Sequence, residues 1–444
     1  MNLTSGHAMI SSLGKISINN LRFVLICLSI TCLSIYNMNG QITKSEIQLT
    51  DEGYRLFLNG KPFYIKGAGL DNGDMDALAQ HGANAVRTWS MDNGKEVLDK
   101  AHKLGLKVMM GIWVSHERHG FDYNDKKAVK AQLERIRERV LALKDHPALM
   151  VWGVGNEMNL QSKSPKVWNA VNEIAKMIHD VDPNHLTTSP LAGMNKKDLE
   201  LMTQKAPEID FLSVQLYGSM DILPQLIAKS KYQGPLLVTE WGATGYWEVE
   251  KTLWGAPLEN HSSKKADLYL ERYQKSILNQ PQQIMGSFVF LWGQKQERTP
   301  TWFGMFTSDG QETESVDTMH YAWNGIWPKN RSPRLHDFTL AQKRAEDNVQ
   351  LNGGNPYSAK VKVSDYDGDE LFYRWEIMRE SQSTKTGGDA EYLPESLNGL
   401  FLDTKDGSTT FKAPSSPGPY RLFVYVDDGH SNVAHANIPF WVKK

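Results

Sequence analysis

The sequence predicts an α/β chain, a (β/α)8 TIM barrel followed by a small all-β, immunoglobulin-like sandwich. Three observations carry that expectation. Apolar, β-rich runs alternate with amphipathic helical stretches as far as residue 328, which is how β/α units around a parallel sheet read. Two of those runs, 148–157 and 235–242, are apolar almost throughout yet end on the glutamates Glu157 and Glu240, polar ends on strands that otherwise read as buried on both faces. From Val349 onward the pattern changes to short alternating runs between Gly-, Asp- and Pro-rich turns, the mark of a sandwich.

Taken in order, the chain opens with a leader over 1–40. Lys15 and Arg22 precede or begin an apolar run over 21–36, and a polar turn follows at 37–40. That reads as a secretory signal peptide, shorter than a membrane span, and implies a secreted or periplasmic protein. Both cysteines, Cys27 and Cys32, fall within it, so a mature chain has neither disulfides nor thiol catalysis. An outer-surface lipoprotein anchor on one of them is the second reading; neither has the usual Leu-x-Gly/Ala context.

The runs 47–58 and 61–67 are joined by Asn59-Gly60, a two-residue hairpin signal suited to closing the bottom of a barrel. Eight candidate strands then follow: 63–67, 83–89, 107–114, 148–157, 185–190, 210–217, 235–242 and 285–292. Helical stretches at 94–104, 126–143, 165–179 and 263–278 lie between them. In the second of these Val129, Leu133, Ile136, Val140 and Leu143 recur at three- and four-residue steps, one buried stripe of a helix. An open doubly wound sheet is the alternative, but no Gly-x-Gly-x-x-Gly or Gly-x-x-x-x-Gly-Lys fingerprint opens a helix. The barrel is expected over 41–328, a charged linker with Pro333 over 329–348, and the sandwich over 349–444. Asp365, Asp367 and Asp369 read either as part of a calcium loop or as a tight turn with solvated carboxylates; the turn is preferred, and neither metal nor cofactor is expected.

Charge and composition narrow the function. A net charge of −2 with both signs interspersed gives no footprint for nucleic acid. Aromatic content of 10%, with 13 Trp, suits stacking on sugar rings. If the runs ending in Glu157 and Glu240 lie in one parallel barrel, their ends open on the same face and bring two carboxylates together. Cleavage of a glycosidic bond needs such a pair, one protonated to donate to the leaving oxygen and one ionised to attack the anomeric carbon. A separation of about 5 to 5.5 Å corresponds to retention of configuration. Asn156, beside Glu157, is a candidate donor to the sugar 2-hydroxyl. Trp89, Trp113 and His116 fall at strand ends and are candidates for substrate subsites, with rim packing or plain surface as the competing reading.

The motifs Trp-Gly-Val-Gly-Asn156-Glu157, Thr-Glu240-Trp-Gly and Phe-Leu-Trp292-Gly, at the ends of the fourth, seventh and eighth strands, resemble those of clan A glycoside hydrolases. Within the clan, the stretch from Ile47 to Pro328 is most similar to the barrel domain of family 2. The resemblance implies that Glu157 is the general acid/base and Glu240 the nucleophile. It also implies that Arg87 orients the nucleophile, that Tyr217 hydrogen-bonds it, and that Trp292 is the stacking platform under the sugar. The segment 244–262, with Tyr246, Trp247 and Trp254, follows the nucleophile strand and reads as a wall or lid over a glycan groove or, equally, as a loop packed onto the barrel.

Typical family 2 enzymes carry a jelly roll and a sandwich before the barrel, whereas here the barrel follows the leader. The expectation is therefore a more open cleft and an endo-acting, oligosaccharide-trimming or transglycosylating enzyme. The expected substrate is a β-linked glycan, β-1,3-glucan first, with β-mannan and β-galactan behind it. A non-catalytic carbohydrate-binding barrel is the competing class; the presence of both glutamates argues against it. The C-terminal sandwich reads as a packing or spacer domain, or else as a carbohydrate-binding module.

Overall fold

A computed structural model describes residues 40–444. The apolar run of the expected leader and both cysteines lie outside them. Among the described residues no helix is long and apolar enough to cross a membrane.

The first strands, Ser45–Thr50, Gly53–Leu58 and Lys61–Pro62, form a small antiparallel sheet. Asn59 and Gly60 sit at φ +51° and +75°, the left-handed pair that a tight hairpin matching strand twist requires. Leu56 and Leu58 point into a cluster with Ile65, Met109, Met150, Phe211 and Met285, so the hairpin plugs the N-terminal end of the barrel.

Eight parallel strands then close on themselves: β1 Ile65–Gly69, β2 Ala85–Arg87, β3 Lys107–Ile112, β4 Leu149–Val154, β5 Leu186–Ala192, β6 Phe211–Leu216, β7 Leu236–Gly242 and β8 Ile284–Phe290. Each pairs with its neighbours in sequence, and β8 returns to β1 with Gly286 opposite Ile65. Helices cover one face of the strands and side chains fill the barrel, so both faces are dry and the runs are nearly all apolar.

The expected helices are present as Gly94–Lys103, Lys126–Leu143, Lys166–Val181 and Ser262–Arg272, the last continuing through a π-helical turn at Tyr273–Leu278. Asp125 starts the second by accepting from the backbone N–H groups of Lys127 and Ala128 at 2.9 and 3.1 Å. Ile136, Val140 and Leu143 form its buried stripe.

The sandwich differs from expectation at its start. The presumed linker 329–348 contains the strand Arg334–Leu340, which pairs antiparallel with Pro356–Ser364. Leu335, Phe338 and Leu340 turn into the core. A register shift between Leu335 and Asp337 breaks the strict alternation that would mark a strand in sequence. Its sheet is completed by Ser408–Lys412 and Phe401–Lys405, and packs on a second sheet containing Phe372–Arg379, Gly418–Asp427 and Asn432–Lys443. Asp365, Asp367 and Asp369 converge, their oxygens within 4.8 Å of one another. Asp365 Oδ1 accepts three backbone N–H bonds at 2.7 to 3.0 Å, so the local geometry is that of the turn.

Barrel and sandwich share a buried polar seam. The fully buried Glu259 carboxylate takes Lys265 Nζ at 2.5 Å, the Thr299 hydroxyl at 2.6 Å and, from the sandwich, Asn437 Nδ2 at 2.7 Å. Arg421 of the sandwich holds Glu380 through two bonds of 2.7 and 2.9 Å and donates to the Pro257 carbonyl of the barrel at 2.9 Å. Even the short barrel segment Glu312–Thr313 is paired in parallel with Asn432 and Val433. A spacer domain on a linker does not have such a seam.

Candidate active site

The strand β4 stops abruptly. Gly155 takes φ +75°, where an added Cβ would lie 2.6 Å from the Met158 side chain, and Glu157 follows at φ +52°. A left-handed conformation costs a non-glycine residue on the order of 1 to 3 kcal/mol and persists where surrounding contacts enforce it. Here the Glu157 N–H is held by the Pro190 carbonyl of β5 at 2.9 Å. The turn leaves Asn156 and Glu157 on the rim, lining a cleft of about 770 Å3 at the C-terminal end of the barrel.

Glu240 reaches the same cleft from β7, where the register against β6 shifts between Val238 and Glu240. Such an irregularity re-aims a side chain. Four donors converge on this 7% exposed residue. Its Oε2 accepts from Arg87 Nη1 at 2.8 Å, from Trp89 Nε1 at 3.1 Å and from Gln215 Nε2 at 3.1 Å, while Oε1 accepts the Tyr217 hydroxyl at 2.5 Å. Charge-assisted bonds of this kind hold a carboxylate anion in one orientation. Burial and the adjacent Glu240 charge push the pKa of the Tyr217 phenol well above its ordinary range, so it remains a donor.

Asn156 is fixed by the same machinery. Its Oδ1 accepts from Arg87 Nη2 at 2.6 Å and from Gln215 Nε2 at 2.7 Å. With the oxygen occupied by two donors, the amide NH2 is the end left for a ligand. Glu157 is treated in the opposite way to Glu240. Burial first, and the Glu240 charge second, push its pKa well above the ordinary carboxyl value, against the pull of Arg87 and Arg118. One carboxyl is thus arranged as an anion and the other as an acid, the division of labour that environment imposes on catalytic pairs.

The remaining expected residues divide. Trp89 lies in the cleft, tied to Glu240, and Trp113 faces it at 45% exposure. His116 also lines it; the residue is 3% exposed, its Nε2 has no hydrogen-bond partner, and burial with the Arg118 charge lowers its pKa to about 4. A neutral imidazole therefore faces the ligand space. Trp292 is a correction to the expected stacking platform. It is fully buried, its Nε1 donates to the Asp74 carbonyl at 3.0 Å, and its ring packs on Phe306, Trp323 and His81. Phe290 and Leu291 line the cleft where β8 ends. In the segment after β7, Tyr246 and Trp247 line the cleft, whereas Trp254 packs near Trp441 of the sandwich.

Other residues of the site carry no strand-end motif in the sequence. Gln215 bridges Asn156 and Glu240; a glutamine inside an apolar strand, two residues before Tyr217, was an available signal. Glu297, 2% exposed and salt-bridged to Lys295 at 2.9 Å, adds a third carboxylate to the wall. Residues 384–390 of the sandwich also line the cleft, and no local pattern announces that.

A closed parallel barrel that carries at its C-terminal rim one carboxyl held by four donors, beside a second whose pKa is raised by burial, has the arrangement that glycosidic cleavage uses. The family model described as glycosyl hydrolases family 2, TIM barrel domain, matches residues 47–344, and the chain belongs to that family. Among curated proteins, β-glucuronidase of Sus scrofa is 24% identical over 330 residues, covering 65% of this chain and 45% of that protein. β-Glucuronidase of Paenibacillus borealis is 23% identical over 269 residues, covering 55% and 44%. The chain thus spans about half the length of the curated relatives it matches. Among solved structures, a Ruminococcus gnavus β-glucuronidase in complex with C6-substituted uronic isofagomine superposes with a TM-score of 0.51 at 15% identity, over 64% of this chain and 53% of that one. That likeness is one of fold.

Proposed function

We propose that the protein is a retaining β-glycoside hydrolase acting on β-linked polysaccharide or oligosaccharide by double displacement. The observation that carries this reading is the opposite treatment of the two glutamates, four donors on Glu240 and a raised pKa on Glu157. The Glu240 carboxylate attacks the anomeric carbon while the Glu157 carboxyl gives its proton to the departing oxygen, leaving a glycosyl ester on Glu240. Glu157, now an anion, takes a proton from water, whose oxygen displaces Glu240 and restores both groups. The Asn156 amide donates to the 2-hydroxyl, and Arg87, Gln215 and Tyr217 hold the nucleophile in line. A sugar hydroxyl in place of water makes the same second step a transglycosylation.

The proposed substrate is a neutral glycan, with β-1,3-glucan first and β-mannan and β-galactan next. Exposed Trp113 and Trp247 offer ring faces for stacking. Of the cations lining the cleft, Arg118 and Lys295 are paired with the carboxylates of Asp389 and Glu297, and Lys385 Nζ donates to the Ala390 carbonyl. A β-glucuronide is the second reading, because the matched curated relatives bear the name β-glucuronidase. The 21–36 run supports export to the periplasm or beyond.

A product profile on defined β-linked oligosaccharides, with aryl β-glycosides including the glucuronide, separates these substrates. Glu240→Ala should abolish turnover of the best aryl substrate while leaving binding largely intact. Activity near wild type in that variant removes the nucleophile assignment.

A further inference from the structure

The sandwich sends the segment 381–396 across to the barrel, and its contacts fall on opposite sides of the barrel mouth. On one side Asp389 takes two bonds of 2.9 Å from Arg118, in the loop after β3, and Thr386 bonds Gln161, after β4, at 3.1 Å. On the other, Gly388 exchanges bonds with Lys295 and Glu297, after β8, at 3.0 and 3.3 Å. An added Cβ on Gly387 would lie 3.2 Å from the Trp247 ring, after β7. In an eight-stranded closed barrel β3 and β4 stand diametrically across from β7 and β8. A seven-residue stretch that touches both pairs spans the opening.

We infer that residues 384–390 roof the catalytic cleft, so that a glycan reaches Glu157 and Glu240 only by threading a free chain end beneath them. The inference deepens the proposed glycosidase reading and rests on it. The ligand space continues under the strap from Asp71 and Trp89, near β1 and β2, to Gly193 and Ser219, near β5 and β6. An internal stretch of polymer cannot be laid into that passage from above, because the strap continues into the sandwich at both ends and is bonded to both rims. The sandwich is itself fixed to the barrel through Asn437 and Arg421. The cleft is therefore covered rather than open, and the endo-acting expectation is replaced by chain-end cleavage. In this arrangement the sandwich is part of the substrate site.

The test compares linear and cyclic β-1,3-glucan, following reducing ends and viscosity together, with aryl β-glycosides as a separate measure of turnover. The wild type should release one or two product sizes from the linear polymer with little loss of viscosity, and leave the cyclic polymer intact. A variant with 384–390 replaced by a short Gly-Ser link should cut the cyclic polymer and show several-fold more viscosity loss per bond broken. Asp389→Asn, a milder change that releases the β3 side, should move the same ratio in the same direction if the replacement fails to fold. The inference is overturned if the wild type cuts cyclic and linear polymer alike. It is overturned equally if aryl glycosides turn over and the polymer does not, or if both variants keep the wild-type product pattern. Failure of the wild type on every β-glycoside, aryl substrates included, counts against the glycosidase reading itself and removes the inference with it.

Discussion

Glu157 and Glu240 are the same residue type at the C-terminal ends of two strands of one barrel, and their surroundings treat them differently: four donors hold Glu240, while burial raises the pKa of Glu157. For Glu157 the physics has a definite sign. Its pKa is raised in the folded protein, chiefly by burial and then by Glu240. In the proposed reaction the proton for the leaving group is present at low and neutral pH and is lost as pH rises through that elevated value. The alkaline limb of kcat/KM should therefore belong to Glu157 and disappear in Glu157→Gln, whose residual rate is low at every pH. Linkage has the same direction. Between the ordinary carboxyl range and the raised value the folded state keeps a proton that the unfolded chain has lost, so stability falls as pH climbs across that window. Thermal midpoints of wild type and Glu157→Gln measured through it should converge toward the acid end and separate toward the alkaline end, with the variant higher. An unchanged alkaline limb in the variant would falsify the assignment of the acid. Trp292 gives a different lesson at this scale. A tryptophan at a strand end suggests a sugar platform from sequence, and its indole N–H is instead satisfied by the Asp74 carbonyl within aromatic packing.

At the scale of elements, the strand ends were the legible part. β4 and β7 end in glutamate because the barrel forces their interiors to be apolar and leaves only the rim for chemistry. The seam between the helix Ser262–Arg272 and the strand Asn432–Lys443 was not legible, since Glu259, Lys265 and Asn437 look like ordinary polar residues in sequence. The pair Lys265–Glu259 is buried; desolvation raises the Glu259 pKa, and Lys265, His435 and the Thr299 hydroxyl together outweigh it and bring it down to about 2. Its stabilising contribution is fully present above the ordinary carboxyl value of 4.5 and is lost as pH falls toward 2. Lys265→Met leaves a buried carboxylate with no cation and should cost about 3 to 5 kcal/mol in urea unfolding at pH 7. Adding Glu259→Gln should recover much of that loss. A single variant as stable as wild type contradicts the role given to the pair.

Over the whole molecule, the barrel and the sandwich share hydrogen bonds, a strand pairing and a wall of the active cleft. Domains joined by a loose linker unfold separately, whereas a polar seam and shared strand pairing couple them. Calorimetry of the full chain should show one cooperative transition. Two well-separated transitions would mean that the seam carries little energy, and the strap over the cleft would then lose its fixed anchor.

What the sequence by itself determined were the eight strands, the helices between them, the change to a sandwich, and the strand-end residues that converge on Glu157 and Glu240. Those follow from local periodicity and from the rule that a dry strand keeps its polar groups for its end. Tertiary structure alone decided that Gln215 bridges the two motifs, that Glu297 joins the wall, that Trp292 belongs to the packing, and that 384–390 lie over the mouth of the barrel. Such contacts join positions far apart in the chain, from 25 residues between Gln215 and Glu240 to 271 between Arg118 and Asp389. No short-range pattern encodes them, because chain connectivity places no constraint on which distant loops meet until the core has packed.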